Sequence, residues 1–360
     1  MAAADLFSRP AFYWALAAVF ALRVAVLSII NHQRPDAEGM WEGARAYLTN
    51  PAHMYDAAAQ YLSASHVIAP PGTIYAFVSP PPVALLAIPV ALLPKDVGVQ
   101  LWAAIDAAAL LAGLFILYRI ACKRSNLAPP VFWVVAMYFP PVFADISAGQ
   151  RGGVALLGAM ASIWFESRRP WIAGVSFIPL GFGGAVFYYQ HVLLASLGSH
   201  NADCGYDSVR TLFDRVVGGE PYLLPNPSGG VVSVSLPWHM PGLAAVLSYA
   251  SSAAFAGAAV WAAWRSKWNA PYGMALGFSL GALIPNEVWP YQWLPLLPLL
   301  LLVAVRAIEQ QRGTTLVLIG VFLLGFYRPP CDLLFPNLWT LAAIAIFVLG
   351  VWENRLFRAA

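Results

Sequence analysis

Short polar segments interrupt an otherwise apolar chain, and five of them hold residue types able to do chemistry. The first, Arg34-Pro35-Asp36-Ala37-Glu38, sets two carboxylates and a guanidinium within five residues. Asp36 has two readings: the cap of a helix that starts just after it, or a carboxylate placed to take a proton. Trp41, Ala44, Arg45 and Leu48 follow at helical spacing, which predicts an amphipathic helix lying on a membrane surface. The second segment, Phe77-Val78-Ser79-Pro80-Pro81-Pro82, stiffens the entry of an apolar helix. The third is the turn Asp145-Ile146-Ser147-Ala148-Gly149-Gln150-Arg151-Gly152-Gly153. Its Asp and Arg are costly at a membrane edge unless paired or used, and its small residues let a ligand approach the backbone. The fourth, Pro285-Asn286-Glu287-Val288-Trp289-Pro290-Tyr291-Gln292-Trp293, and the fifth, Tyr327-Arg328-Pro329-Pro330-Cys331-Asp332, set Glu287 and Arg328 in apolar turns beside aromatics of an interfacial belt.

The elements that position these segments follow from composition. Of 360 residues 60% are hydrophobic and 10% charged, with a mean hydropathy of +0.67. A water-soluble domain is about 45–50% apolar and about 25% charged, so a soluble globule, a disordered chain and a coiled coil are excluded. What remains is an all-α, polytopic bundle of membrane-spanning helices, read as a single domain over 1–360. Strong apolar runs cover Ala11–Ile30, Val99–Ile120, Pro130–Ile146, Trp171–Tyr189, Pro241–Trp264 and Leu338–Val351. Shorter or proline-marked runs cover Gly152–Phe165, Pro271–Ile284, Leu294–Val305 and Thr314–Phe326. Pro80–Pro94 is read as an interfacial or re-entrant helix, which leaves about ten spans with both termini inside. The first run has no small-residue cleavage site after it and reads as a retained span.

Basic residues favour the cytoplasmic side, and this layout separates charge accordingly. Twelve basic and four acidic residues fall inside, seven basic and twelve acidic outside, with Arg23 and Asp106 within spans and open to pairing with each other. His32, His53, His66, His191, His200 and His239 all fall at the outer side. Two long outer loops, about 31–79 and 190–240, hold most of the remaining polar residues; Gly218–Gly230 within the second reads as irregular loop. Cys122, Cys204 and Cys331 are too few for a disulfide framework and read as small core residues rather than a Cys204–Cys331 bridge. No P-loop, dinucleotide fingerprint, zinc motif or nucleophile elbow occurs, and no basic aromatic patch suggests nucleic acid.

In this order the segments resemble glycosyltransferase family 87, membrane mannosyltransferases of the GT-C fold that take sugar from polyprenyl-phosphate mannose. The likeness rests on an Asp after span one (Asp36), an aromatic–Pro–Pro segment (Phe77 to Pro82), a Gly–Gln turn (Gly149-Gln150-Arg151-Gly152) and a Trp–x–Tyr segment before a Pro/Leu-rich span. Two departures accompany it. Gly152 stands where the family pattern has Asn, and no Lys–x–Pro helix follows Trp171–Leu180. The resemblance implies a hexosyltransferase in a bacterial inner membrane with its site facing the periplasm. Its partners would be a polyprenyl-phosphate-linked donor, a lipid or glycan acceptor, and membrane lipids. It implies Asp36 as catalytic base; the chemistry of such a transfer adds Glu38 as second choice of base and Arg151 and Arg328, with Arg34 third, to neutralise the phosphate. Gln150, Glu287 and His191 complete the binding set, with no metal or cofactor required. A transporter or flippase for a lipid-linked sugar and an inactive homologue are the alternatives; the former predicts charge distributed through span interiors, which are nearly clean here.

Overall fold

A computed structural model describes residues 9–30, 34–49, 81–122, 127–166, 208–225, 231–284, 290–326 and 337–357. Thirteen α-helices run through these residues: α1 Pro10–Ile30, α2 Pro35–Thr49, α3 Pro81–Ala91, α4 Lys95–Ala121, α5 Ala128–Tyr138, α6 Pro140–Ala148, α7 Gly152–Glu166, α8 Val209–Phe213, α9 Pro241–Arg265, α10 Ala270–Leu283, α11 Leu297–Glu309, α12 Gly313–Gly325 and α13 Leu338–Trp352. A helix stands at every apolar run named above except Trp171–Tyr189, which lies outside the described residues. Four helical stretches are long and apolar enough to cross a membrane: Lys95–Ala121, Pro241–Arg265, Gln292–Glu309 and Leu338–Phe357. The α5–α6 pair makes a fifth if it is counted as one bent span.

That pair is bent by 54° where the sequence suggested one straight run. Phe139 precedes Pro140 and is pushed to an extended conformation (φ −61°, ψ 110°), and Pro140 and Pro141 bring no N–H to continue the helix. The bend turns α6 toward α2 and α4. At the centre lies α11, whose residues Leu297 to Val305 are all buried, packed among α5, α10, α12 and α13. A helix apolar all round is a core helix. By contrast α9 leaves Leu243, Val246, Tyr249, Val260 and Trp264 exposed, an apolar surface suited to lipid.

The two ends of the bundle hold different groups. At one end Lys95 of α4 meets α2, and buried Arg215 donates through Nη1 to Asn337 Oδ1 (2.5 Å) at the start of α13. At the other, Tyr272 Oη donates to the Gly350 carbonyl (2.8 Å) and stacks on Phe357, while Thr315 Oγ1 donates to Glu353 Oε1 (2.6 Å). Part of the Gly218–Gly230 stretch expected as irregular loop is regular among the described residues. After a π-helical turn, Asp214–Gly218, the strands β1 (Tyr222–Pro225) and β2 (Val231–Val234) pair antiparallel with Tyr222 opposite Val234. The Val-Val-Ser-Val run supplies β-branched residues to one side of that ladder.

Half-buried Cys122 closes α4 at the second end. Burial pushes its thiol up to about 12, Glu309 adding to the rise and Arg306 opposing it. Thiolate is the reactive form, so raising the pKa suppresses alkylation at neutral pH. In a Cys204→Ser/Cys331→Ser background, maleimide labelling of the folded chain is expected to run at least ~100-fold slower than that of a thiol of ordinary pKa, about 8.5, and to recover in denaturant.

Candidate active site

The first polar segment folds as the start of α2. The Arg34 carbonyl accepts from Glu38 N (3.0 Å), so Arg34 holds the cap position and Pro35 the first helical one. Asp36 is therefore not the cap. It stands half-buried in the first turn, where the positive end of the helix dipole favours a carboxylate. The buried stripe of α2 is also shifted from the expected one. Ala37, Met40 and Ala44 face inward against Ala84, Ala87 and Val90 of α3 and Trp102 of α4, whereas Leu48 is exposed. Small residues on both α2 and α3 let these helices close together, so α2 docks on protein through this stripe, with Trp41 packed beside it and donating through Nε1 to the Leu93 carbonyl (3.2 Å).

Arg34 ties this helix start to the bundle. Its Nε donates to Gln100 Oε1 of α4 (2.9 Å) and its Nη1 to the Ile146 carbonyl of α6 (2.9 Å). Burial draws its pKa below the ordinary arginine value, and hydrogen bonds to both neighbours satisfy the guanidinium there. Glu38 is directed elsewhere, pairing with Lys95 Nζ at 3.2 Å beside Glu42 at 3.2 Å. Such half-exposed pairs contribute at most about 1 kcal/mol.

The third segment is the surface on which α2 lands. Gly149 ends α6 in the left-handed region (φ 66°), and a Cβ there would stand 2.7 Å from Ala37 Cβ. Gln150 is buried, and Arg151, half-buried, caps α7 with its carbonyl accepting from Ala155 N (3.0 Å). The segment Pro290–Leu296, a 3-10 turn before α11, packs on α6, with fully buried Trp293 and with Leu294 against Gly152. The structure thus brings Arg34, Asp36, Gln150 and Arg151 to one region, next to the start of α11. Glu287, Arg328 and His191 lie outside the described residues. Gly149→Ala meets both the strain of positive φ, about 1 kcal/mol or more, and the contact with Ala37. It is expected to lower the thermal midpoint of the purified protein by about 2 °C or more, read beside wild type in a thermal-unfolding curve.

Two further residues shape this region that the sequence did not single out as site residues, Asp106 being open there to a pair with Arg23 and Asp145 costly unless paired or used. Asp106 of α4 and Asp145 of α6 are 1% and 0% exposed. Asp145 holds both sides of the turn: its carbonyl accepts from Gly149 N and from Gln150 N (3.2 Å), and its Oδ1 accepts from Gly152 N (3.1 Å). Asp106 Oδ1 accepts from Val154 N (2.9 Å), two residues beyond the Gly152 N that serves Asp145. The first N–H groups of α7 have no partner within their own helix, and these carboxyls supply one. Asp106 is accordingly joined to Asp145 and α7 and not to Arg23, which is exposed on α1. The departure at Gly152 has a physical counterpart, because a Cβ there would overlap Asp145 Oδ1 and approach Leu294 Cδ2 to 2.7 Å. The signal available in the sequence was two lone carboxylates in apolar helices.

Comparison with known families bears on this region directly. Residues 77–186 match the family model of glycosyltransferase family 87. The match supports a membrane glycosyltransferase. No curated protein and no solved structure matches the chain. The matched segment runs from just before α3 past the end of α7, so it contains the Gly149–Gly152 turn, Asp106 and Asp145. Arg34 and Asp36 precede it and enter the same region through the docking of α2.

Proposed function

We propose that this chain transfers a hexose, mannose by its resemblance, from a polyprenyl-phosphate donor to an acceptor hydroxyl, at the periplasmic face of a bacterial inner membrane. The observation that carries the reading is the docking of the α2 start, with Asp36, onto the Gly–Gln turn of the family 87 segment through Ala37–Gly149 and Arg34–Ile146. A donor with its tail in the bilayer and its phosphate at the interface needs a site between a surface helix and the spans. The α2–α6–α4 junction is the place this reading assigns to it.

In the proposed step the acceptor oxygen attacks the anomeric carbon as the bond from that carbon to the phosphate oxygen breaks. The electron pair leaves with polyprenyl phosphate, the acceptor proton passes to the Asp36 carboxylate, and the anomeric configuration inverts. Negative charge grows on the departing phosphate, and Arg151, with Arg328, is assigned to neutralise it. Arg34 is better suited to holding α2, since Gln100 and Ile146 take two of its N–H groups. Glu38 is the weaker base candidate because Lys95 holds it.

The donor class is tested in membranes expressing the chain, supplied with labelled polyprenyl-phosphate mannose or with the same sugar on a nucleoside diphosphate. Transfer from the lipid-linked donor alone is the expected result. Transfer from the nucleotide sugar alone would contradict the reading.

A further inference from the structure

We propose that Asp106 and Asp145 hold one proton between them, and that this shared proton clamps the Gly149–Gly152 turn in the place where α2 docks. Each carboxyl uses Oδ1 as an acceptor for α7, from Val154 N at 2.9 Å and from Gly152 N at 3.1 Å. Each leaves Oδ2 buried with no hydrogen-bond partner among the described residues, and neither forms an ion pair there. Yet the two side chains are hydrogen-bonding neighbours. Two ionised carboxylates have no donor to offer each other. Their facing oxygens would carry like charges inside an apolar bundle, with no cation paired to either among the described residues. One proton changes both facts at once. It makes one Oδ2 a donor and the other its acceptor, so two orphaned atoms become one charge-assisted hydrogen bond. Gly152 and Gly153 make the arrangement possible, since a side chain at either would overlap Asp145 Oδ1 or the Asp106 carbonyl.

The roles follow from the connections. Both aspartates are buried, so neither is open to a substrate and both act as positioning residues. Asp145 closes the turn from within, and Asp106 fastens that turn to α4, the helix that also holds Arg34 through Gln100. The transfer arm of the test below rests on the proposed glycosyl transfer; the stability arm does not.

Asparagine copies a protonated carboxyl, with Oδ1 still accepting from α7 and Nδ2–H donating to the remaining carboxylate. Asp106→Asn and Asp145→Asn are therefore each expected to keep the thermal midpoint of the purified protein within about 2 °C and transfer within about threefold. The double Asn variant sets two NH2 groups face to face with no acceptor, and should lose far more than the two singles together. Asp145→Ala, which removes the cap as well, should lower the midpoint and cut transfer at least ~30-fold, so that Asn and not Ala rescues the site. Single Asn variants as damaged as the double or as Ala would overturn the proposal and assign these groups a role that needs their charge, such as holding a cation or relaying protons in transport. If the wild-type chain transfers no sugar, the glycosyltransferase reading fails while the pattern of midpoints still decides the shared proton.

Discussion

Asp36→Asn is expected to lower sugar transfer by about 10³-fold, within the 10²–10⁴ range that a positioned general base contributes, and to leave the thermal midpoint nearly unchanged. The substitution keeps shape and one acceptor oxygen while removing basicity. Its structural penalty is small because Asp36 is not the helix cap: Arg34 and Pro35 start α2, and the Ala37–Met40–Ala44 stripe seats it. Loss of a carboxylate from the first turn removes a dipole contribution of about 0.3–1 kcal/mol. Specific activity beside a thermal-unfolding curve separates the two effects. Activity within tenfold of wild type would move the base elsewhere.

Gly153→Leu is expected to have the largest effect on folding. A Cβ at 153 would overlap the Asp106 carbonyl oxygen and lie 2.9 Å from the backbone N and the Cβ of Leu110. Across the same α4–α7 contact, Gly113 faces Leu157 N at 3.0 Å. Two glycines thus let the helix backbones touch, the small-residue packing that holds helices together where lipid removes the hydrophobic drive between them. Overpacking costs about 1–3 kcal/mol when side chains can yield, and more against backbone. Loss of monodisperse folded protein, or a midpoint lower by about 10 °C, is the expected outcome. Gly257→Leu on α9, where an added Cβ meets nothing within 4 Å, is the matched control and should behave as wild type.

The helices were legible in the sequence because each apolar run must satisfy its own backbone in lipid, and that constraint is local. The bend at Phe139 was written in Pro140-Pro141, but a run of apolar residues across it hid the break. In α2 the helix was legible and its face was not. Trp41, Ala44, Arg45 and Leu48 recur at helical spacing, yet Ala37, Met40 and Ala44 are the residues that fit against the alanines of α3, and shape decided between them. The Asp106–Asp145 contact joins residues 39 apart on separate helices, and nothing in their spacing announces it. Of the candidate site, Arg34, Asp36, Gln150 and Arg151 were named from motif order, and the fold explains their meeting through Gly149 and Ala37. That Arg34 serves α2, and Glu38 serves Lys95, depended on partners in α4 and α6 that only the fold reveals.

The central claim is tested most directly by purified protein in liposomes, given labelled polyprenyl-phosphate mannose and an acceptor, with wild type and Asp36→Asn measured side by side. The account predicts transfer with inverted anomeric configuration by wild type and almost none by the variant, at equal thermal midpoints. No transfer by folded wild type, or equal transfer by both, would contradict it.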